Sequence, residues 1–356
     1  MVVVVKNGER PPKRRLEKTK TTPSTRSKKR RYKIIFFWIL LGLVSCLGCS
    51  IFYLSRIYRN ARQATTMIYS PNNVNKKRDT TSLLKNGEPI SILLMGTDTG
   101  ALGRNFKGRT DTLILLTLNP DKEKMTLVSL PRDAKVAVSN YASRYPSKLN
   151  SAYDYGGSAA AVKTVQKYLN VPVDFYATIN MGGLENMVNA VNGVDIKPTL
   201  TFSYGGYSFT KDKVVHMSGP QALAYVRMRH SDPLGDYGRQ LRQRQVLTQV
   251  AANGSNLKNL LSTKFFKEVS KQLKTDLSFN DIMLLALKYR KATHHMNSDH
   301  AQGAPQMING VSFETVPEDE KQRVTDLLRS SLNIPQAETG NTLLNSDGSS
   351  TLDTQN

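Results

Sequence analysis

An α/β (α+β) sandwich, with a central mixed β-sheet flanked by helices and one N-terminal transmembrane helix before it, is the fold class this sequence predicts. Three observations predict it. A stretch of 21 residues near the N-terminus carries no charged side chain. Short, continuous apolar runs of strand length follow, two of them separated by turn residues. Later strand-like runs alternate with segments of helical apolar spacing, and a hairpin among such elements implies a mixed sheet.

The uncharged stretch is Ile34 to Leu54, long enough at ~1.5 Å per residue to cross a ~30 Å hydrocarbon core. Thirteen Lys/Arg precede it, from Lys6 to Lys33, against Glu9 and Glu17, whereas Arg56, Arg59 and Arg62 follow in the next fifteen residues. The positive-inside bias places residues 1–33 in the cytoplasm and the rest outside the cell membrane. Leu43-Val44-Ser45-Cys46 resembles a lipoprotein cleavage box, but the chain stays apolar for eight more residues, where a lipoprotein turns polar. Cys46 and Cys49 both lie in the span, so the outer part has neither disulfide nor thiol chemistry. The basic tail supplies half of the net charge of +22 and reads as a topology signal and anionic-lipid contact. No nucleic-acid partner is expected, because no helix-turn-helix or finger pattern surrounds it.

Residues 55–86 are polar and read as a stalk, helical near the membrane. Residues 87–335 read as the folded outer domain, and 336–356 as a disordered tail. Within the domain, Ile90 to Met95, Thr112 to Leu118 and Met125 to Leu130 are strands. Asn119-Pro120-Asp121-Lys122 makes the last two a hairpin. Val173 to Ile179 and Gly193 to Ile196 are further strands. Helices are expected over Ser158–Leu169, Leu184–Val191, Ser218–Val226, Arg239–Ala252, Leu257–Leu273 and Ser278–Lys291.

Four polar groups stand out on this frame. Met95-Gly96-Thr97-Asp98 ends the first strand, and Gly108-Arg109-Thr110-Asp111 opens the second. Ser129-Leu130-Pro131-Arg132-Asp133 ends the third. A fourth run holds Arg227, Arg229, Asp236, Arg239, Arg242 and Gln243. If the first strand runs up and the hairpin down and up, Asp98, Asp111 and Arg132 share one sheet edge. Two facing carboxylates favour a hard divalent cation, Mg²⁺ or Mn²⁺. Arg239, Arg242 and Gln243 fall on one helical face. Arg227 and Arg229 are two apart, and converge only on an extended segment. Singly, each feature suits a turn, a cap or a solvated surface. Together, metal ligands and several Arg forks suit a pyrophosphate.

Absences narrow the chemistry. There is no phosphate-binding GxxxxGK[ST] loop, no GxSxG elbow and no HExxH. His294-His295 reads as a solvated pair in a polar loop, and His230 as a group behind the arginines.

The strings GTD, GRTDT, SLPRD, SKLNSAYDYGG, YVRMR and DYGRQLRQRQVL, in this order behind one span, resemble the LytR–CpsA–Psr family of bacterial cell-envelope proteins. The resemblance covers about Ser91 to Ala251. It implies a phosphotransferase that takes an anionic glycopolymer from an undecaprenyl-pyrophosphate carrier and joins it to peptidoglycan, at a MurNAc hydroxyl. It implies Asp98 and Asp111 as Mg²⁺ ligands, and Arg132, Arg227, Arg229, Arg239 and Gln243 as the pyrophosphate set, with Arg242 beside them. Asp236 becomes a carboxylate that orients an arginine or serves the metal, and an apolar cavity takes the polyprenyl tail. Two rivals are a polyprenyl-phosphate receptor, with little need for Asp98 and Asp111, and a transcription regulator, for which 33 residues before a span are too few.

Overall fold

The computed structural model describes residues 65–97, 108–229, 231–254 and 272–341, with scattered positions between 52 and 63. The expected basic tail, the 34–54 span apart from Phe52, both cysteines, Asp98, His230 and residues 257–271 of the helix expected over Leu257–Leu273 lie outside the described residues, while Leu273 itself opens a strand. Among the described residues no helix is long and apolar enough to cross a membrane. Everything below concerns the unit from Ile57 onwards.

A short helix α1 (Thr80–Asn86) leads into β1 (Ile90–Thr97), β2 (Thr110–Asn119) and β3 (Lys124–Ser129). A small pair, β4 (Lys135–Val136) and β5 (Ser147–Lys148), precedes α2 (Ser151–Leu169), β6 (Phe175–Asn180) and α3 (Met181–Ala190). Then come β7 (Val194–Ile196), β8 (Phe202–Tyr204), β9 (Tyr207–Phe209), β10 (Val215–Met217), α4 (Gly219–Arg227) and α5 (Asp236–Gly254). The chain closes with β11 (Leu273–Thr275), α6 (Phe279–Lys288), β12 (His295–His300), β13 (Ala304–Ile308), β14 (Val311–Thr315) and α7 (Glu318–Ser331).

Six strands make the central sheet, in the order β11-β6-β1-β2-β3-β12. The pairs β1/β2 and β2/β3 are antiparallel, while β1/β6 and β3/β12 are parallel, so the sheet is mixed as expected. Its inner strands are continuous apolar runs because both faces are covered. Leu93, Leu115 and Val128 face a core closed by α2 and α7, while their neighbours Ile92, Ile114 and Leu127 face a second core closed by α1 and α6. Each such side chain contributes ~1.5–3 kcal/mol by leaving water. A third cluster, centred on Phe202, Phe209, Tyr225 and Val246, joins α3, α4 and α5 to the small strands.

Two expectations need correction. Residues 65–86 are no free stalk: Ile68 is buried, Ser70 N–H donates to Thr275 O at 2.7 Å, and Arg78 pairs with buried Asp174. That polar string carries the apolar anchors and cations that the domain's own surface needs. At the other end, residues 336–341 lie along α7, where Thr339 N–H donates to Gln322 at 2.7 Å and Lys321 Nζ donates to Gly340 O at 3.0 Å. The helix expected from Ser158 does run to Leu169, and a kink at Gly156 and Gly157, where φ reaches 62° at Gly157, joins it to a helical turn that starts at Ser151, the two together making α2. A Cβ on Gly156 would meet the Tyr141 ring at 2.9 Å.

Candidate functional site

The site forms where β1 ends and β2 begins. Gly96 pairs with Thr112 and Thr97 with Thr110, and the register slips between them, so Asp111 is the residue bulged out of the ladder. Gly96 is needed for this close approach, since a Cβ there would lie 2.9 Å from Thr112 Cβ. Asp98 follows Thr97 but lies outside the described residues.

Pro131 and Arg132 turn off the end of β3, and the Arg132 guanidinium comes back to pair with the Asp111 carboxylate. Its Nε also stands 3.6 Å from Asp133 and 3.9 Å from Asp236. Burial works against the Arg132 charge, but Asp236, Asp111 and Asp133 outweigh it and hold the guanidinium above its ordinary value. The sheet edge read from the sequence is therefore real for Asp111 and Arg132.

Helix α5 supplies the facing wall. Asp236 in its first turn lies 2.7 Å from Arg239 Nη2 and 3.9 Å from Arg229, and accepts from Gln240 Nε2 at 3.1 Å. Arg239 Nη2 also donates to the Asp111 carbonyl at 3.1 Å. Burial pulls Arg239 below its ordinary value; Asp236 and Asp111 offset part of this, and Arg132 and Arg229 add to it. Arg132 Nε, Arg239 Nε and Gln243 Oε1 are buried and form no hydrogen bond, whereas Asp236 Oδ1 is held in its ion pair with Arg239 Nη2 at 2.7 Å. Each such group costs ~1–3 kcal/mol unless a partner arrives. Three together mark a place kept ready for a polar ligand.

Other expected residues are placed differently. Met228 breaks α4 at ψ 133° and is itself buried, which leaves Arg227 and Arg229 exposed on either side of it. Arg229 reaches Asp236, whereas Arg227, the last residue of α4, joins none of the contacts just described. Arg242 is a correction: at 1% exposure it turns into the α4–α5 junction, away from Arg239. It donates to Tyr225 O at 3.0 Å and to Met228 O, pairs with buried Asp232 and stacks over Phe202 at 5.4 Å. Its charge is spent on the fold. His295 opens β12 instead of lying in a loop, while His294 Nδ1 meets Glu123 at 2.9 Å at an exposed position.

Gln243, one turn beyond Arg239, lines an open apolar cleft with Leu94, Ile179, Leu184, Met187 and Leu247. The cleft reaches Gly96 and Thr97 at the sheet edge, so it ends beside the charged cluster.

Sequence reasoning missed four neighbours. Lys148, within the SKLNSAYDYGG string, lies 3.0 Å from Asp133. Arg244, which burial pulls down to about 10 against the pull of Asp299, donates to Ser129 Oγ at 2.6 Å and to Ser298 Oγ at 2.7 Å. It pins α5 to the sheet. Tyr237 and Glu314 meet beside Asp236, and burial, then the Asp236 and Asp133 charges, push the Glu314 carboxyl up to about 7. The first three stand inside quoted motifs, yet only the fold shows what they touch. Nothing local singles out Glu314.

Known proteins resemble this arrangement throughout. A model of the LytR_cpsA_psr family matches residues 55–330. A relative from Enterococcus faecalis, named polyisoprenyl-teichoic acid–peptidoglycan teichoic acid transferase TagU, is 40% identical over 306 residues, covering 86% of this chain and 98% of that protein. The Bacillus subtilis protein of the same name is 34% identical over 310 residues, covering 86% and 98%. A solved structure described as TagT bound to LIIa-WTA superposes with a TM-score of 0.57 at 27% identity, covering 69% of this chain and 92% of that one. With its motifs, its sheet and its matches in agreement over most of its length, the chain belongs to the LytR–CpsA–Psr family and is a transferase.

Proposed function

We propose that this protein is a membrane-anchored phosphotransferase that moves an anionic glycopolymer from an undecaprenyl-pyrophosphate carrier onto a MurNAc hydroxyl of peptidoglycan. The observation that carries the reading is the clustering of Arg132, Arg229 and Arg239 round Asp111 and Asp236, at the end of an apolar cleft. A pyrophosphate joined to a polyprenyl chain needs that pairing of a cationic head site with an apolar tail site. The named activity of the TagU relatives points the same way.

The donor set suits a hard cation, because Asp111 and Asp236 are two carboxylates gathered round Arg132 at the sheet edge. Asp111, with Asp98 from the adjoining segment, would hold Mg²⁺, or Mn²⁺. When bound, the ion neutralises phosphate charge and polarises the reacting phosphoryl group.

The arginines do the rest. Their planar forks bind the pyrophosphate oxygens bidentately, and Asp236 holds Arg239 and Arg229 in place. The acceptor hydroxyl attacks the sugar-bearing phosphorus in line, giving up its proton. The bond from that phosphorus to the bridging oxygen breaks, and undecaprenyl monophosphate leaves with its charge stabilised by the guanidinium groups. Gln243 sits where head site and cleft meet, suited to fix the junction of phosphate and lipid. An N-terminal span, with the domain outside the cell, keeps this site where a lipid-borne donor is confined.

The experiment is direct. Full-length protein in detergent receives a synthetic polyprenyl-pyrophosphate glycan and a peptidoglycan fragment, and mass spectrometry reads the product. A phosphodiester-linked conjugate with release of lipid monophosphate is expected; intact donor, or free glycan phosphate alone, rejects transfer.

A further inference from the structure

Glu314 stands on β14, far along the chain from every motif of the site, yet it touches two of them. Its backbone N–H donates to the Asp133 carbonyl at 2.9 Å, and a bridge between Ala134 and Glu314 ties β14 to the segment after Arg132. Its side chain accepts from the Tyr237 hydroxyl, in the first turn of α5 beside Asp236. The Tyr237 oxygen accepts in turn from the Gly303 N–H at 2.7 Å. A chain of two hydrogen bonds thus runs from the 303 backbone through Tyr237 to Glu314. Its approach is close enough that a Cβ on Gly303 would lie 2.6 Å from Glu314 Cγ.

The carboxyl is costly where it is. It is half-buried, Asp236 and Asp133 repel its charge, and among the described residues no cation lies within ion-pairing distance. Lys148 is already held by Asp133, and Arg132 is shared among Asp111, Asp133 and Asp236. His300, whose ring lies 5.0 Å from that of Tyr237, is occupied by Gln302 at 3.0 Å. A carboxyl without a counterion, held by one hydroxyl, serves through the group it holds.

We propose that Glu314 is a positioning residue of the transfer site, a strut from β14 that fixes the first turn of α5 through Tyr237. That turn carries Asp236 and, one turn on, Arg239, so the strut sets the distance between them and Arg132. This inference rests on the phosphotransferase reading.

The test uses full-length protein in detergent, as wild type, Glu314→Gln, Glu314→Ala, Tyr237→Phe and the Glu314→Ala/Tyr237→Phe double variant. Three measurements are made: turnover of the polyprenyl-pyrophosphate glycan, calorimetric affinity for inorganic pyrophosphate, and thermal unfolding. Glu314→Ala and Tyr237→Phe should each lower kcat about tenfold and weaken pyrophosphate about tenfold, with KM for the acceptor fragment unchanged. The double variant should be no worse than either single one, since both break the same strut. Glu314→Gln should stay within about threefold of wild type, because its amide oxygen still accepts from Tyr237. Wild-type kcat in both single variants, losses that multiply in the double variant, or Glu314→Gln failing as badly as Glu314→Ala would each overturn the proposal. A wild type that transfers nothing rejects the phosphotransferase reading itself. The strut is then judged on pyrophosphate affinity alone, where tenfold weakening in both single variants supports it and unchanged affinity overturns it.

Discussion

Arg132, just past β3, forms an ion pair with Asp111 at the start of β2, closing the open end of the hairpin over the site. Neither residue is needed to hold the sheet, whose inner positions are apolar on both faces. Asp111→Ala should therefore abolish transfer while leaving unfolding within a few degrees of wild type. EDTA should inhibit the wild type and Mg²⁺ should restore it. Full activity in metal-free protein would remove the metal from this account.

Arg239 separates catalysis from holding. Asp236 and the Asp111 carbonyl fix its guanidinium before any ligand arrives. One charge-assisted contact contributes ~1.5–3 kcal/mol, about ten- to a hundredfold in the state that uses it. Arg239→Ala should lower turnover far more than polyprenyl-pyrophosphate affinity, and Arg239→Lys should restore little, lacking the fork. Turnover and direct binding on the same variant decide it: an affinity loss that accounts for the whole rate loss favours a receptor.

Arg242 should behave in the opposite way. Removing it leaves Asp232 buried without its partner, and such losses cost ~3–5 kcal/mol. Arg242→Ala should lower the urea midpoint sharply, with residual activity tracking the folded fraction. A stable Arg242→Ala protein that binds pyrophosphate weakly would return Arg242 to the ligand set.

Glu314 should leave a mark on stability against pH. Its folded value is raised to about 7, so the folded protein holds the proton more tightly than the unfolded chain does. Its contribution is therefore full below the ordinary glutamate value of ~4.3 and is lost as pH rises through about 7. With solvent screening, the loss should be on the order of 1 kcal/mol. Urea unfolding at pH 5.5 and 8 should show the wild type falling relative to Glu314→Gln; parallel profiles would mean an unshifted carboxyl.

Much of this protein was legible before any coordinates. Continuous apolar runs such as Ile90–Met95, and turn chemistry at Asn119–Lys122, are short-range signals, and they placed the β1–β2–β3 meander and with it Asp111 beside Arg132. The family strings named the arginines of the site. Which way each one turns is a long-range matter. Arg239 and Arg242 are three apart on one helix, yet one faces Asp111 and the other enters the Phe202–Tyr225 cluster, because different elements pack on adjacent strips of α5. The same holds for β6 beside β1, β12 beside β3, and residues 65–86 on the domain. Glu314 is the extreme case. It meets Asp133 and Tyr237 across separations of 181 and 77 residues, and no local pattern encodes a contact between segments that only folding brings together.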